Sequence, residues 1–536
     1  MCIARYLLAA AMFVTPLAAQ RPDRLTALKQ EVTTDIEHRA VFSQQLVDQL
    51  FSYGELGFQE TETSKTLVAV LRKNGFTVEE GVAGMPTAWV ASWGSGKPVI
   101  MLGSDIDGIP RASQRPGVAC HSPLVAGAPG HGEGHNSGQV VNITAALAVK
   151  KLMEREHLSG TIKLWPGVAE ELLAGKPFLV RAGVFRDADA VIFSHVGDNF
   201  GTSWGEAYGT GLVSVLYSFR GRAAHAAGAP WAGRSALDAA ELMDIGWNFR
   251  REHLRLSQRS HSVIRDGGDQ PNVVPSFATT WYYFRELDYA HIKSLWAVGD
   301  TIATAAALMT GTTLLPSRIV GSAWPRYFDR PLAEAVQVNI DKVGLPQWSE
   351  ADQRLARAVQ HEVQADTTGL AVRLDSLQGP AVDNQGGPSD DIGDVAWNVP
   401  TAILYYPANI PNLPGHHWAD AIAMATPIAH KGTTAGAKVM AMTVLDLLLR
   451  PALVDSAMTW FHDVQTHDVK YQTLIRPEDQ PATEFNQATM AKFRDQMRKF
   501  YYDPSKYPSY LAQLGIRYPT LRQDAGNLCA TGSDAQ

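Results

Sequence analysis

The chain has 536 residues, enough to bury a sizeable core, and this length indicates more than one domain. Hydrophobic residues make up 45% and charged residues 19%, which is typical of a folded globular protein and excludes a largely disordered one. The formal net charge of −7 is mild and the sequence contains no Lys/Arg-rich block, so we expect no nucleic-acid partner.

The first residues predict an exported protein. Arg5 precedes an apolar run at 6–14, and small residues follow before a polar segment. This is the pattern of a secretory signal peptide, and the run is too short to span a bilayer comfortably. We expect residues 1–19 to be removed, leaving a periplasmic or secreted protein with no membrane contact. The two remaining cysteines, Cys120 and Cys529, could form a disulfide or stay free.

The elements that follow alternate between helices and strands. Apolar residues recur at helical spacing between residues 28 and 75, and short apolar runs then alternate with helical patterns. The predicted strands of this part cover residues 98–102, 161–165, 190–193 and, much later, 401–406. Such alternation predicts an α/β fold with a mostly parallel sheet flanked by helices.

The pattern changes after about Gly209. Strands and helices follow in the order βαββαβ, which closes a small unit of its own. We interpret 208–326 as an inserted domain that interrupts a catalytic domain formed by 20–207 and 327–450. The predicted strands of the insertion cover 211–219, 261–264, 278–284 and 311–320. Residues 451–536 predict a C-terminal helical extension packed on the catalytic domain.

Carboxylates and imidazoles occur where the predicted strands end. In open α/β sheets, ligands bind beyond the carboxyl ends of the strands. A single histidine or a Glu-Glu pair is more often structural, but their coincidence at several strand ends favours a divalent metal site with one glutamate left as a proton carrier. The residues concerned are Asp105, Asp107, Glu133, His135, Glu170, Glu171, His195, His416 and His417.

These motifs resemble the M20 metallopeptidases and amidohydrolases, most closely the group of the B-type p-aminobenzoyl-glutamate hydrolase subunits. The resemblance covers about residues 30–450. It implies a di-metal catalytic domain interrupted by a lid domain that also forms a homodimer. The matching segments are Gly132 to Val196, Gly221 to Ala227, Gly233 to Asp238, Asn248 to His253, Pro271 to Pro275 and Ser389 to Trp397.

The resemblance also implies a ligand set for two divalent ions, Zn²⁺ or Mn²⁺. The implied ligands are Glu133, His135, Glu171, His195 and His416, with His417 as the alternative to His416. Relatives in this group carry a cysteine where this chain has Glu133. A carboxylate can also bridge two ions, resists oxidation in an exported protein, and makes Mn²⁺ more acceptable.

The remaining roles follow from the same resemblance. Glu170 would be the general base, and His225 would reach across the dimer to stabilise the tetrahedral intermediate. Asn272 and Arg285 would hold the free carboxylate of the substrate. Asp107 and Asp391 would fix the orientation of the metal-ligating side chains without binding the metal themselves.

We therefore expect hydrolysis of an amide in an N-acyl or N-aroyl amino acid, such as p-aminobenzoyl-glutamate or a related small molecule with a free carboxylate. A dipeptidase or aminoacylase of the same fold is one alternative, and an inert ligand-binding relative is another. The complete ligand set together with Glu170 favours an enzyme. Cys120-His121 lacks the glycine spacing of the ligand motif.

Overall fold

A computed structural model describes residues 23–529. The expected signal peptide, residues 1–19, lies outside the described residues. In chain order, the first part of the chain forms helices α1 (Arg24–His38), α2 (Ala40–Tyr53), α3 (Thr61–Lys73), α4 (Gly138–Glu156) and α5 (Lys176–Ala182) and strands β1 (Thr77–Glu80), β2 (Trp89–Ser95), β3 (Val99–Asp105), β4 (Gly160–Gly167) and β5 (Ala190–Gly197).

The middle and last parts contribute the remaining elements. The middle part contains β6 (Gly205–Glu206), β7 (Gly211–Arg220), α6 (Ala236–Arg251), β8 (Arg259–Asp266), β9 (Phe277–Glu286), α7 (Tyr289–Thr310), β10 (Thr313–Leu314) and β11 (Arg318–Ala323). The last part contains β12 (Tyr327–Phe328), α8 (Arg330–Val343), α9 (Glu350–Glu362), α10 (Ile392–Ala396), β13 (Thr401–Pro407), α11 (Pro427–Leu449), α12 (Pro451–Trp460), α13 (Gln487–Met497) and α14 (Tyr510–Gln513).

The main sheet has six strands in the order β1-β2-β4-β3-β5-β13. The four strands β4, β3, β5 and β13 are parallel, while β1 and β2 add an antiparallel edge. Every residue of β3 is buried, as expected for a central strand covered on both faces. The predicted mostly parallel sheet flanked by helices is therefore confirmed, although the two antiparallel strands were not predicted.

Helices α4 and α11 pack against each other and form much of the core beside this sheet. Of the described helices, α11 is long and apolar enough to cross a membrane, yet 89% of its most apolar window is buried inside the molecule. Such burial is typical of a core helix in a globular protein.

A second sheet follows the order β10-β7-β9-β8, with β11 also paired to β7. Helices α6 and α7 pack on it around Trp247, Tyr282 and Phe284. The order of the main strands and helices is the βαββαβ that the sequence indicated, but the predicted strand 311–320 is wrong in extent. It forms two strands, because Pro316 has no backbone N–H and interrupts the ladder between them.

The short strands β6 and β12 pair antiparallel where the chain enters and leaves the second sheet. The C-terminal extension then runs across both parts of the molecule. It contains the helices α12 to α14. Its irregular segments contact both the part that carries the second sheet (residues 208–326, called the lid below) and the catalytic part. Its last described residue, Cys529, forms a disulfide with Cys120, so these two cysteines are paired.

Candidate active site

The carboxyl ends of the parallel strands bring the predicted site residues together. Strand β3 ends at Asp105, which lies in register with Gly167, the last residue of β4. His195 lies near the end of β5 in register with Tyr405 of β13. Side chains that follow these strands therefore meet at one edge of the sheet, as the sequence indicated.

The glycine-rich loop at 130–136 needs its glycines. Gly134 has a φ of +110°, which a side chain would strain, and a Cβ there would lie 2.6 Å from Met424 Sδ. The Asn136 side chain donates to the backbone oxygens of Met424, at 2.9 Å, and Val47, at 3.2 Å, and so anchors the loop. This loop presents Glu133 and His135 to the strand ends.

The five predicted ligands converge in the structure. The Nε2 atoms of His135 and His195 lie 3.3 Å apart. Glu133 Oε1 lies 3.5 Å from His195 Nε2, and Glu133 Oε2 lies 2.9 Å from His416 Nε2. His416 Nε2 is also 3.3 Å from Glu171 Oε2. The adjacent His417 instead accepts a hydrogen bond from Ala419 N–H, so the geometry favours His416 over His417.

The donor set fits divalent cations. His195 Nδ1 lies 2.8 Å from Val196 O, and His135 Nδ1 lies 3.2 Å from Asp107 O. When each Nδ1 donates its proton to that carbonyl, both Nε2 lone pairs face each other beside the Glu133 carboxylate. The buried Glu171 Oε1 has no hydrogen-bond partner. An electron-rich cluster of this kind is stabilised by a bound cation.

Glu170 and Glu171 lie on one short 3₁₀ turn at the end of β4. The turn is bracketed by Ala169 and Leu173, both with positive φ. The backbone N–H groups of the two glutamates donate to the Asp107 carboxylate at 3.3 and 3.1 Å. Asp107 thus holds the glutamate pair and, through its carbonyl, the ring of His135.

Electrostatics make these carboxylates basic. Burial, and next the Asp105 carboxylate, raise the pKa of Glu170 well above its ordinary value. Burial, and next Glu133, raise the pKa of Glu171 in the same direction. One oxygen each of Glu133, Glu170 and Glu171 and one ring nitrogen of His135 lie within 4.8 Å of one another. Glu170 is therefore beside the ligand set and free of close contacts with its imidazoles.

Asp391 lies one layer further back than the sequence suggested. Its carboxylate accepts the backbone N–H of Lys176 at 3.0 Å and pairs with the buried Lys176 ammonium. The same ammonium lies 2.6 Å from Asp105 and 3.4 Å from Asp390. Asp391 is therefore part of this buried ionic cluster, and its predicted role in orienting a ligand stays a prediction.

Of the three lid residues, only Arg285 lines the cleft. Its Nη1 donates to Ser389 Oγ at 2.8 Å. His225 and Asn272 lie on the exposed side of the lid, next to each other, since Ala226 N–H donates to Asn272 O and His225 bridges to Val273. The cleft encloses about 1150 Å³ between the strand ends and the lid. A single chain therefore does not bring His225 and Asn272 to the predicted ligands.

Several lining residues were missed from the sequence. Tyr405 follows His195 across the sheet and its hydroxyl accepts from Arg326 at 3.2 Å; the strand end was the signal that could have found it. Asp390 also lines the cleft, and it is the neighbour of the predicted site residue Asp391. Asn486 reaches the cleft from the C-terminal extension, where no sequence signal marks it. Cys120-His121 is excluded as a thiolate ligand, because Cys120 is bonded to Cys529.

Comparison with known proteins identifies relatives over most of the chain. A scan against models of protein families found no match. The B-type p-aminobenzoyl-glutamate hydrolase subunit of Escherichia coli (strain K12) is 34% identical over 436 residues, 76% of this chain and 89% of that protein. Human Xaa-Arg dipeptidase is 28% identical over 420 residues, 76% of this chain and 85% of that protein.

A solved structure supports the same fold. The aminobenzoyl-glutamate utilization protein from Klebsiella pneumoniae superposes with a TM-score of 0.50 at 16% identity, covering 79% of this chain and 97% of that one. The extent of the match to the Escherichia coli hydrolase, together with the convergent ligand set, identifies the chain. It belongs to the M20 family of metallopeptidases and amidohydrolases, and it is a hydrolase of amide or peptide C–N bonds.

Proposed function

We propose that this chain is a di-metal amidohydrolase that releases an amino acid from an N-acyl or N-aroyl amino acid, with p-aminobenzoyl-glutamate as one candidate substrate. The observation that carries the proposal is the meeting of three imidazoles and two carboxylates beside the buried Glu170. The residues that would hold two divalent ions, Zn²⁺ or Mn²⁺, are Glu133, His135, Glu171, His195 and His416.

When bound, such cations lower the pKa of a water and polarise the scissile carbonyl. Glu170 is the proton carrier. It lies beside the ligand set, and its raised pKa favours taking a proton from the attacking water and returning it to the leaving nitrogen. The two adjacent glutamates would have separate roles. Glu171 faces His416 within the ligand set, and Glu170 stays outside that set to transfer the proton.

The lid supplies the substrate contacts. Arg285 lines the cleft and can bind a carboxylate through its guanidinium fork. His225 and Asn272 would enter the site of a partner subunit, and exposed apolar side chains on the two lid helices support a homodimer through the lid. These exposed side chains are Ile245, Phe249, Leu308 and Met309.

Export to the periplasm or beyond fits this proposal. The disulfide between Cys120 and Cys529 is of the kind that persists in an oxidising compartment. It supports the signal peptide that the first residues predict. Fractionation of cells producing the full chain tests the location.

Glu170→Gln tests the reaction. The variant should keep about two metal ions per chain by elemental analysis and lose turnover of N-acyl amino acids by several orders of magnitude, because the amide cannot carry the proton. Glu171→Gln is the matched variant and should instead lose metal. Near-normal turnover by Glu170→Gln would contradict the assignment of Glu170 as the general base. Chelator-resistant activity of a metal-free protein would contradict the di-metal site.

A further inference from the structure

We propose that Arg259 and His261 form a second carboxylate subsite beside Arg285, so that the released amino acid is dicarboxylic, of the aspartate or glutamate type. The inference rests on the proposed function and deepens it. It concerns the lid wall of the cleft, and it assigns a role to two residues that the sequence comparison left without one.

The strand register places these residues on one face. Arg259 of β8 lies directly opposite Arg285 of β9, and His261 lies opposite Tyr283. Residues paired across antiparallel strands point to the same side, with Cβ atoms about 4.5–5.5 Å apart. All four line the cleft. The lid therefore presents a cationic end, and the rings of Tyr283 and Trp281 continue the same face as an aromatic end.

The two guanidinium groups of this end have no close ion-pair partner. Within residues 23–529 no carboxylate lies within ion-pair distance of Arg259 or Arg285, and the Glu170 carboxylate acts on Arg285 only from further away. Like charges directly opposite each other on a sheet are destabilising, so this pair costs stability without a ligand. The buried Nε of Arg285 also has no hydrogen-bond partner. Two guanidinium groups facing a substrate cleft in this way favour an anionic ligand. Burial, and next the Arg285 charge, lower the pKa of His261, so its imidazole adds a neutral hydrogen-bond donor rather than a third charge.

Arg259 is held in a fixed orientation. Its Nη1 donates to Leu256 O at 2.7 Å and to Gln258 O at 2.8 Å, and its Nη2 donates to Gln385 O at 3.0 Å. An arginine has five N–H donors, so these three bonds leave two for a ligand. Carbonyl acceptors fix the plane of the group without neutralising its charge.

One carboxylate does not account for this arrangement. The α-carboxylate of any amino acid would occupy Arg285, which Ser389 orients. A second carboxylate is needed to face Arg259 and His261. A cationic side chain in the same place would meet like charge, so we expect substrates with a C-terminal arginine, the kind named for the human relative, to be poor.

The experiment compares N-benzoyl-glutamate with N-benzoyl-glutamine, which differ by one charge at nearly equal size, using the full-length, metal-loaded enzyme. We expect kcat/KM to favour the glutamate compound roughly 10- to 100-fold, as for a charge-assisted hydrogen bond. Arg259→Gln should reduce this ratio to near one, and His261→Gln should reduce it in part. Arg250→Gln, the same charge change on an exposed face of α6, should leave the ratio unchanged.

The possible outcomes distinguish failure of the subsite from failure of the proposed function. Equal rates for the two compounds would overturn the subsite while leaving the amidohydrolase standing. An unchanged ratio in Arg259→Gln, with a lowered melting temperature, would make Arg259 only a clamp for the loop at Gln385. If neither compound is hydrolysed, the proposed function fails instead. Calorimetric binding of free glutamate against glutamine then still tests the subsite, and equal affinity would overturn it.

Discussion

Glu133 presents its two carboxylate oxygens to different imidazoles, Oε1 toward His195 and Oε2 toward His416. A group that reaches both sides of a ligand set in this way would suit a position between two cations. A carboxylate is a harder donor than a thiolate, which would make Mn²⁺ more acceptable at such a position.

Glu133→Gln is therefore expected to lower the metal content from about two ions per chain toward one, because the amide nitrogen is not a ligand. Elemental analysis after dialysis measures it. Glu241→Gln, an exposed change on α6, serves as the control and should keep both ions. Full metal content in Glu133→Gln would show that the carboxylate does not bridge.

Asp329 is a buried carboxylate whose titration affects stability. It caps α8, with Oδ1 accepting Leu332 N–H at 3.0 Å, while Oδ2 is buried without a partner. Burial raises the pKa of Asp329 to about 7. Since the folded pKa lies above the unfolded value of about 3.8, the folded state binds more protons between these values, and stability falls as the pH rises from about 4 to about 7.

Asp329→Asn keeps the cap and removes this titration. Relative to the unchanged chain, the variant should gain about 2–4 kcal/mol of unfolding free energy as the pH rises from about 4 to 8. Denaturant unfolding at several pH values measures the difference. Parallel pH profiles for the two proteins would contradict it.

Individual site residues differ in how readily the sequence reveals them. Glu133, His135, Glu170 and Glu171 were found because glycine spacing and a strand end mark them. Lys176 and its three aspartates were not recognised as one cluster, since they come from β3, α5 and the segment before α10, and only the fold brings them together.

Among the elements, the segment at 483–486 joins the lid to the catalytic part. The Phe485 ring lies 5.3 Å from the Trp281 ring and under the Arg265 guanidinium at 4.1 Å. On the other side, Gln59 donates to Phe485 O and Asn486 donates to Gly57 O, both at 3.0 Å. One short segment thus positions Trp281, a wall of the cleft.

Phe485→Ala should lower the free energy of unfolding by about 3–5 kcal/mol, because a buried ring is removed from between two parts of the molecule. Denaturant unfolding measures it. Tyr507→Ala, an aromatic change at a more exposed position of the same extension, should cost much less. Equal losses of unfolding free energy in the two variants would contradict a special role of Phe485 in joining the lid to the catalytic part.

At the element scale, periodicity predicted the central strands well because they are buried and apolar on both faces. It missed β2, in which Trp93, Gly94 and Ser95 interrupt the apolar alternation. The first turns of α11 contain polar residues such as His430 and Thr433, so apolar periodicity marks the later part of this helix better than its start.

For the whole molecule, the disulfide between Cys120 and Cys529 closes a loop of 409 residues and fastens the C-terminal extension. Cys529→Ser should lower the unfolding free energy by about 2–5 kcal/mol, since the unfolded chain gains freedom. The melting temperature of the unchanged chain should fall on reduction, and that of Cys529→Ser should not respond to reductant. A melting temperature insensitive to both changes would contradict the role of the bond.

The paired strands β6 and β12 carry both chain crossings between the two sheets. Joined there alone, the lid could swing about the line of that ladder. The contacts of the extension with Trp281 and Arg318 add a fastening beyond that line. Because the lid is attached both at this ladder and at the C-terminal extension, it cannot rotate freely about the ladder. We therefore expect this enzyme to admit substrate by elastic bending or by release of the extension, and its radius of gyration to change little when ligand binds.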